Sequence, residues 1–573
     1  MEPPRGLQRP SCGDKNLDEI RVGVFVCHCG TNIGGFLDVP GLTKYALNLP
    51  HVIFSQDNQY TCSDAGLTEI KNAIAEKKLN RVVVASCTPR THEPLFRSTC
   101  KDAGLNPYLF QFVNIRDQCS WVHMQERARA TEKAKALIRM GVARAVLLEP
   151  LEETEVEVNP CALVIGGGIT GMTCALSLAN RGFEVKLIEK EDQLGGTLNS
   201  LFKLYPTHEE ASRLVQEKTK DVKKNPKIEV LTSSKVKEVE GFVGNYDVTV
   251  RQGEKERLFK VGVIIVATGA ETLKPVGMYG YNGEEVITQM ELERMLKEGR
   301  LNADAVVMIQ CVGSRNEKRA YCSKVCCLTA LKNAMLIKEA NQNAQVFVLY
   351  RDMVTQGTKY EDYYGKARET GITFIKYSQE RQPVLENGSV RVYDEFLGEE
   401  LILPYDLVVL SSPMIAHPDS RDLAQKLKVP VDENGFFLEA HVKLRPVDFA
   451  TDGIYVCGCA HWPANIGESI FQAYGAASRA SIPMSVGHVK TEPLIPVIDE
   501  EECSGCGLCE LTCPFKAIQV EETAKGRKAK VIAASCKGCG TCGAGCPQRA
   551  ITMRHFTDEQ LVAEVVALAE VTP

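Results

Sequence analysis

Short β-branched runs and amphipathic helical stretches alternate along this chain, and the pattern predicts strand–turn–helix units from residue 21 to about 488. "RVGVFVC" and "RVVVASC" are apolar runs ending in cysteine, whereas 122–148 is rich in Ala, Lys, Glu and Arg and reads as helix. "EPLEETEVEVNP" (149–160) is an acidic, proline-bounded connector, the mark of a domain boundary. Beyond it, "CALVIGGGITGMTCALSLANRGFEVKLIEK" (161–190) gives strand, glycine-rich turn, helix and strand. "VGVIIVATGAE" (261–271), "ADAVVMIQ" (303–310) and "AQVFVLYRD" (344–352) predict further buried strands, and 451–480 returns to strand, glycine and helix. A last helix, 557–570, carries Leu561, Val565 and Leu568 on one face, for packing on its own domain or for docking to a partner.

At 573 residues the chain is too long for one ordinary domain. The pattern divides it into a lead (1–20), an α/β domain (21–148), a larger α/β domain (149–489) whose second nucleotide-binding unit spans about 300–404, and a Cys-dense tail (490–573). An apolar fraction of 44% supplies ample core, and a net charge of −6 without a long basic run argues against a nucleic-acid partner. No apolar stretch approaches the roughly 20 residues that span a bilayer. The lead lacks the apolar core of a secretory signal and reads as disordered, which makes a cytoplasmic protein the expectation. Twenty-three cysteines change the picture. In a large cytoplasmic chain closely grouped thiols mean iron–sulfur or zinc rather than disulfides.

Gly166, Gly168 and Gly171 fill a G-x-G-x-x-G pattern, with Glu189 at the end of the following strand placed to accept hydrogen bonds from a ribose. The helix N-terminus then faces a pyrophosphate. "LGG" (194–196), the Ala-Thr-Gly turn and the 451–480 segment together resemble the thioredoxin-reductase-like flavoproteins, with two dinucleotide-binding domains, over about 160–488. The resemblance implies FAD, held by Gly166, Gly167, Gly168, Ile169, Thr170 and Gly171, by Glu189 and Lys190, by Gly195, Gly196 and Thr197, by Val236, by Ala267, Thr268 and Gly269, and by Gly458 and Cys459. That class has Gly-Asp where this chain has Gly458-Cys459, so only backbone amides remain for the contact the aspartate makes.

The second unit departs further. Where a nicotinamide loop belongs, only Gly313 is left of the glycine fingerprint, and C-x10-C-x3-C-C stands in its place. Cys311, Cys322, Cys326 and Cys327 suit the four ligands of a [4Fe–4S] cluster; zinc, and plain buried thiols, are the alternatives. "CVGSR…YCSKVCC" resembles the cluster site of the heterodisulfide reductase A subunits, which bear the FAD of electron-bifurcating complexes, and the resemblance spans nearly the whole chain. It implies a cluster near the flavin, with Lys332 close to the reactive N5 edge and Glu291 as a weaker catalytic candidate; an ordinary helix charge is the plain reading of each.

"CSGCGLCELTCP" (503–514) and "CKGCGTCGAGCP" (536–547) are two copies of C-x2-C-x2-C-x3-C-P, the signature of two [4Fe–4S] clusters. The fourth cysteine crosses over in such pairs. Cys503, Cys506, Cys509 and Cys546 are expected to hold one cluster, and Cys536, Cys539, Cys542 and Cys513 the other. In the first domain Cys27, Cys29, Cys62 and Cys87 lie at strand ends or turns, within phrases that also resemble that family, and a further cluster is expected there with Cys119 as substitute ligand. Cys457 and Cys459 form C-x-C beside the expected flavin, with a redox-active disulfide as one reading; the remaining cysteines read as buried or incidental.

The family resemblance implies an oxidoreductase in which electrons arrive and leave singly through clusters while the flavin is the two-electron station. One electron of a pair goes downhill to a disulfide-reducing partner and the other to ferredoxin. The implied partners are B- and C-like subunits, a hydrogenase or formate dehydrogenase supplying electrons, ferredoxin, and a second copy of the chain. No disulfide-reducing site appears in the sequence; relative to the longer members of the family it resembles, the chain lacks a ferredoxin insert in its FAD half, and residues 197–260 contain no cysteine. A relay component for quinone- or acyl-CoA-linked partners and a stand-alone NAD(P)H oxidoreductase are the competing readings.

Overall fold

The computed structural model describes residues 20–386 and 388–569. All of the expected lead but Ile20, and Cys12 with it, lies outside them. The chain divides into two compact units, Met1–Thr154 with Lys490–Pro573, and Glu155–Val489. The Cys-dense tail thus shares a unit with the first domain.

That unit begins with parallel strands β1 (Val22–Cys27), β2 (Val52–Asn58), β3 (Arg81–Ser86) and β4 (Phe110–Asn114), in the order β2-β1-β3-β4. Every residue of β1 is buried, as a strand covered on both faces requires, which is why its sequence runs apolar without alternation. Helix α1 (Arg127–Val146) packs its Ala130, Ala134 and Ile138 into the same core.

The second unit holds two nested doubly wound sheets. β5 (Cys161–Ile165), α2 (Ile169–Asn180), β6 (Glu184–Ile188), β7 (Ile228–Leu231) and β8 (Val263–Val266) build most of the first. It is then interrupted by β9 (Val286–Thr288), α3 (Gln289–Lys297), β10 (Ala305–Ile309), α4 (Val325–Ala340), β11 (Gln345–Tyr350), α5 (Thr358–Glu369), β12 (Thr373–Lys376) and β13 (Leu407–Leu410). β14 (Ile454–Val456) and α6 (Ile466–Val486) complete it. The strand orders are β14-β8-β5-β6-β7 and β9-β13-β10-β11-β12, parallel throughout. In each sheet the strand that leads into the glycine or cysteine loop, β5 or β10, has neighbours on both sides, so its carboxyl end lies at the switch point where such sheets take ligands.

The tail contains two small antiparallel pairs, Pro496–Ile498 with Ile551–Met553 and Ile518–Thr523 with Gly526–Val531, two single-turn helices at Leu508–Thr512 and Thr541–Ala544, and a last helix α7 (Asp558–Ala569). Here the structure corrects the sequence. α7 lies on α1, and it buries Gln560 and Ala567 there. Leu561, Val565 and Leu568, the face expected either to pack on its own domain or to dock a partner, stay 42%, 64% and 52% exposed, so they do not pack on α1. The contact is polar because the first domain presents arginines: Arg139 Nε donates to Ala567 O at 2.5 Å, Arg144 Nη1 meets Glu564 at 3.4 Å, and Gln560 Nε2 donates to Leu147 O at 3.0 Å. Among the described residues no helix is long and apolar enough to cross a membrane.

Replacing Arg139 and Arg144 together with alanine removes charge-assisted bonds worth about 2–3 kcal/mol. Amide exchange across 558–569 should speed up by a factor of tens, read by mass spectrometry, with the β1–β4 sheet unchanged.

Candidate redox centres

The loop after β5 is shaped by what it cannot contain. A Cβ on Gly171 would sit 1.8 Å from Gly166 O, and one on Gly166 would sit 2.3 Å from Ala267 O, so helix, loop and Ala-Thr-Gly turn touch backbone to backbone. Gly168 is different: a Cβ there would meet nothing within 4 Å, and α2 starts beside it with no side-chain cap. That is an open cradle with free helix N–H groups, suited to a pyrophosphate. Glu189 is nearly buried and ties the turns together, accepting from Gly167 N at 2.7 Å and Glu191 N at 2.9 Å. Gly195 N donates to Gly167 O at 2.9 Å, which brings Gly196 against Gly168. Ile169, Thr170, Val236 and Ala267 are buried, and Thr268 Oγ1 is a buried hydroxyl without a partner, a group left for a ligand to satisfy. Gly269 takes a left-handed φ of 75°, Thr197 is exposed, and Lys190 points outward with its Nζ 2.5 Å from His417 Nε2.

Gly458 N donates to Gln472 Oε1 at 3.0 Å, and any side chain at Gly458 would strike Thr170 Oγ1. The Cys459 thiol turns aside to Ala464 O at 3.2 Å. It cannot act as the missing aspartate, and only its backbone is offered. The C-x-C pair is split as well: Cys457 Sγ lies 3.6 Å from Cys174 Sγ, both thiols wholly buried, so its neighbouring thiol is not that of Cys459.

Cys311 follows β10 with a left-handed φ of 61°, and Cys326 and Cys327 sit in the first turn of α4. Burial, and then the other three thiols, push Cys326 well above the ordinary thiol range; burial pushes Cys327 up to about 12, with Cys311 and Cys322 adding to it. The four sulfurs therefore share one locality. Arg315 Nη1 comes to 4.0 Å from Cys311 Sγ and its Nη2 to 2.5 Å from Asp352, while Arg351 donates to Ser314 O and Arg315 O at 2.9 and 3.0 Å and so fixes the loop. Gln310, wholly buried just before Cys311, has no partner for either amide atom. An inorganic sulfide could take that N–H.

In the first unit Cys27, Cys29, Cys62 and Cys87 come together past the carboxyl ends of β1, β2 and β3. Cys62 is pushed up by burial and by Cys27 and Cys29; Cys87 is pushed up by burial, opposed by Arg116. Thr61 N and Cys29 N donate to Cys27 Sγ at 3.4 and 3.3 Å. Arg116 is held by Asp117 at 3.1 Å and lies 4.4 Å over the Trp121 ring. Cys119 lies in the core of the same unit, its pKa pushed to about 11 by burial, and the charge it feels is Lys133.

The tail contains two small cavities. Cys503, Cys506, Cys509 and Cys546 line the first; Cys513, Cys536, Cys539 and Cys542 line the second. The crossover of the fourth cysteine is present in the folded chain.

Glu291 is committed elsewhere than beside Lys332. It closes a capping box with Thr288 and accepts from Tyr281 Oη at 2.8 Å, which with Thr288 holds its carboxyl below the usual range against the effect of burial. The carboxylate facing Lys332 is that of Glu293, on the same helix. Lys332 Nζ pairs with Glu293 Oε1 and donates to Lys203 O at 2.8 Å; the two side chains are 2% and 0% exposed. The signal for Glu293 is its place on the buried stripe Gln289–Leu292–Glu293 of α3, where an apolar residue is the rule.

The pyridine nucleotide-disulphide oxidoreductase family matches residues 161–317, and the 4Fe-4S dicluster domain matches 496–553. The chain is 39% identical to the A subunit of the H(2):CoB-CoM heterodisulfide,ferredoxin reductase of Methanothermobacter thermautotrophicus, covering 97% of this chain and 98% of that one. It is 40% identical to an iron-sulfur A subunit of the CoB–CoM heterodisulfide reductase of Methanopyrus kandleri, again over 97% and 98%. Among solved structures it is similar to Lactococcus lactis thioredoxin reductase, 17% identical, covering 57% of this chain and all of that one at a TM-score of 0.42. FAD and iron–sulfur clusters are accordingly its cofactors.

Cys503→Ser and Cys546→Ser, 43 residues apart in sequence (546 minus 503), should each remove about four iron atoms and the same spectroscopic signal, while Cys119→Ala should remove none. Iron analysis and electron paramagnetic resonance of anaerobic preparations check this. Gly171→Val should leave the chain without flavin.

Proposed function

The chain belongs to the family of heterodisulfide reductase A subunits, and on that premise we propose that it divides electron pairs at its flavin between a low-potential acceptor, ferredoxin, and a high-potential branch ending in a disulfide-reducing partner. The observation that carries this reading is the exchange at the carboxyl end of β10. Four thiols and an arginine-pinned loop occupy the place where a second doubly wound unit takes its nicotinamide nucleotide. A hydride donor has lost its seat, and a one-electron conductor has taken it.

Bound FAD supplies the exchange between two-electron and one-electron chemistry. The chain's own residues do the rest. Gly166, Gly168 and Gly171 would give the pyrophosphate a backbone cradle, Glu189 fixes the turn around it, and Lys332, as the family kinship implies, would present its buried amine toward the reactive edge of the flavin. Burial pulls the Lys332 pKa down and Glu293 opposes the fall. Cys311, Cys322, Cys326 and Cys327 hold a cluster next to it, Cys27, Cys29, Cys62 and Cys87 another, and the tail holds two. The relatives' names tie them to hydrogen- and formate-linked donors and to ferredoxin. By that kinship we assign this chain to a cytoplasmic complex containing B- and C-like subunits, an electron-input component and a second copy of itself. The outward apolar stripe of α7 gives a partner protein a surface to cover.

Anaerobic protein should not oxidise NADH or NADPH, and a redox titration of its flavin should show one two-electron wave; two separated one-electron waves would support plain relay instead. Lys332→Met strands Glu293 and should cost roughly 3–5 kcal/mol, measured by denaturation, whereas pairing it with Glu293→Gln should recover most of that loss. The double variant should fold with flavin at a shifted midpoint potential.

A further inference from the structure

The Lys332–Glu293 pair is sealed. Its side chains are 2% and 0% exposed, Lys332 Nζ is closed by Lys203 O, and Glu293 Oε2 accepts from Phe202 N at 2.9 Å. A proton that enters or leaves this pair has to travel through protein groups.

A line of such groups starts at the surface. Glu339, on α4 and half exposed, lies 3.1 Å from His208 Nδ1. His208 Nε2 lies 2.6 Å from Tyr363 Oη on α5, and Tyr363 is 4% exposed. Burial is the main influence on the Tyr363 hydroxyl, and the carboxylates whose charge it feels are Glu339 and Glu293. His208 has a left-handed φ of 59°, a conformation that costs a non-glycine residue about 1 kcal/mol or more and persists only where its surroundings impose it. The groups facing its ring are Glu339 from α4, Tyr363 from α5, Lys203 from its own loop and, through charge, Lys332. Burial is the largest of these influences and pulls the imidazole pKa below its ordinary value despite Glu339, so the ring is neutral at neutral pH, with one donor and one acceptor nitrogen.

We propose that Glu339, His208 and Tyr363 relay protons between solvent and the buried Lys332–Glu293 pair. The inference rests on the reading that this pair serves the flavin. A carboxylate only accepts, so Nδ1 carries its hydrogen toward Glu339 and the Tyr363 hydroxyl donates to Nε2. For export, the pair gives a proton through one water to Tyr363 Oη. Tyr363 passes its own proton to Nε2, and Nδ1 releases one to Glu339 and then to solvent. One proton moves and no other bond changes. Import reverses each step and restores the starting tautomer, so the line resets over a cycle of uptake and release.

The test uses the full chain with flavin and clusters loaded, reduced by dithionite in a stopped-flow instrument. His208→Gly should slow flavin bleaching at least tenfold and raise the solvent isotope effect, leave the flavin midpoint potential unchanged, and regain most of its rate when imidazole is added. Tyr363→Phe keeps the ring packing and should slow bleaching by a similar factor with no response to imidazole, which decides the matter if the glycine variant does not fold. Unchanged rates in the variants, or a slowdown in His208→Gly that imidazole does not relieve, would overturn the relay. A flavin potential that ignores Lys332→Met with Glu293→Gln would strike at the proposed role of the pair and leave the relay measurements standing on their own.

Discussion

Four thiols crowded into a protein interior are tolerated in two states only: protonated, or bound to something that carries positive charge. Burial and mutual repulsion both push the pKa values of Cys326 and Cys327 up, so iron has to displace their protons when it binds. Around this constraint the loop is built. Arg351 holds its carbonyls and Arg315 brings a guanidinium to Cys311. The first unit repeats the device with Arg116 near Cys87, a common electrostatic solution on two unrelated loops.

The parallel sheet is what lets distant thiols meet. Cys27, Cys62 and Cys87 are separated by dozens of residues, yet adjacent parallel strands deliver their following loops to one edge. The same geometry places the flavin cradle at the end of β5 and the thiol loop at the end of β10. The tail needs no such scaffold, since short spacing keeps its ligands close.

The fold is legible in the sequence where spacing is local. The two glycine and cysteine motifs, the strands around them and the crossed ligand sets of the tail follow from covalent geometry over a few residues. What escapes depends on tertiary partners. Glu291 and Glu293 are both acids on one short helix, and only packing shows that the first caps the helix while the second is buried against Lys332. The outward face of α7 escapes for a similar reason. Periodicity finds an apolar stripe but not what the stripe meets, and here arginines on α1 select Gln560 and Ala567 instead. Closeness in sequence pairs Cys457 with Cys459, whereas the strand turns its thiol toward Cys174.

The docking of α7 on α1 also sets a condition on how the protein is made. Arg139 must wait for Ala567, 428 residues further along the chain, before its bond can form. At ribosomal speeds of about 5–20 residues per second, the α1 surface therefore stands bare for tens of seconds during synthesis. A greasy seam left open for so long would invite aggregation of the nascent chain. A seam closed by guanidinium and amide groups stays wetted until the C-terminus arrives, which makes its polarity a safeguard of biogenesis.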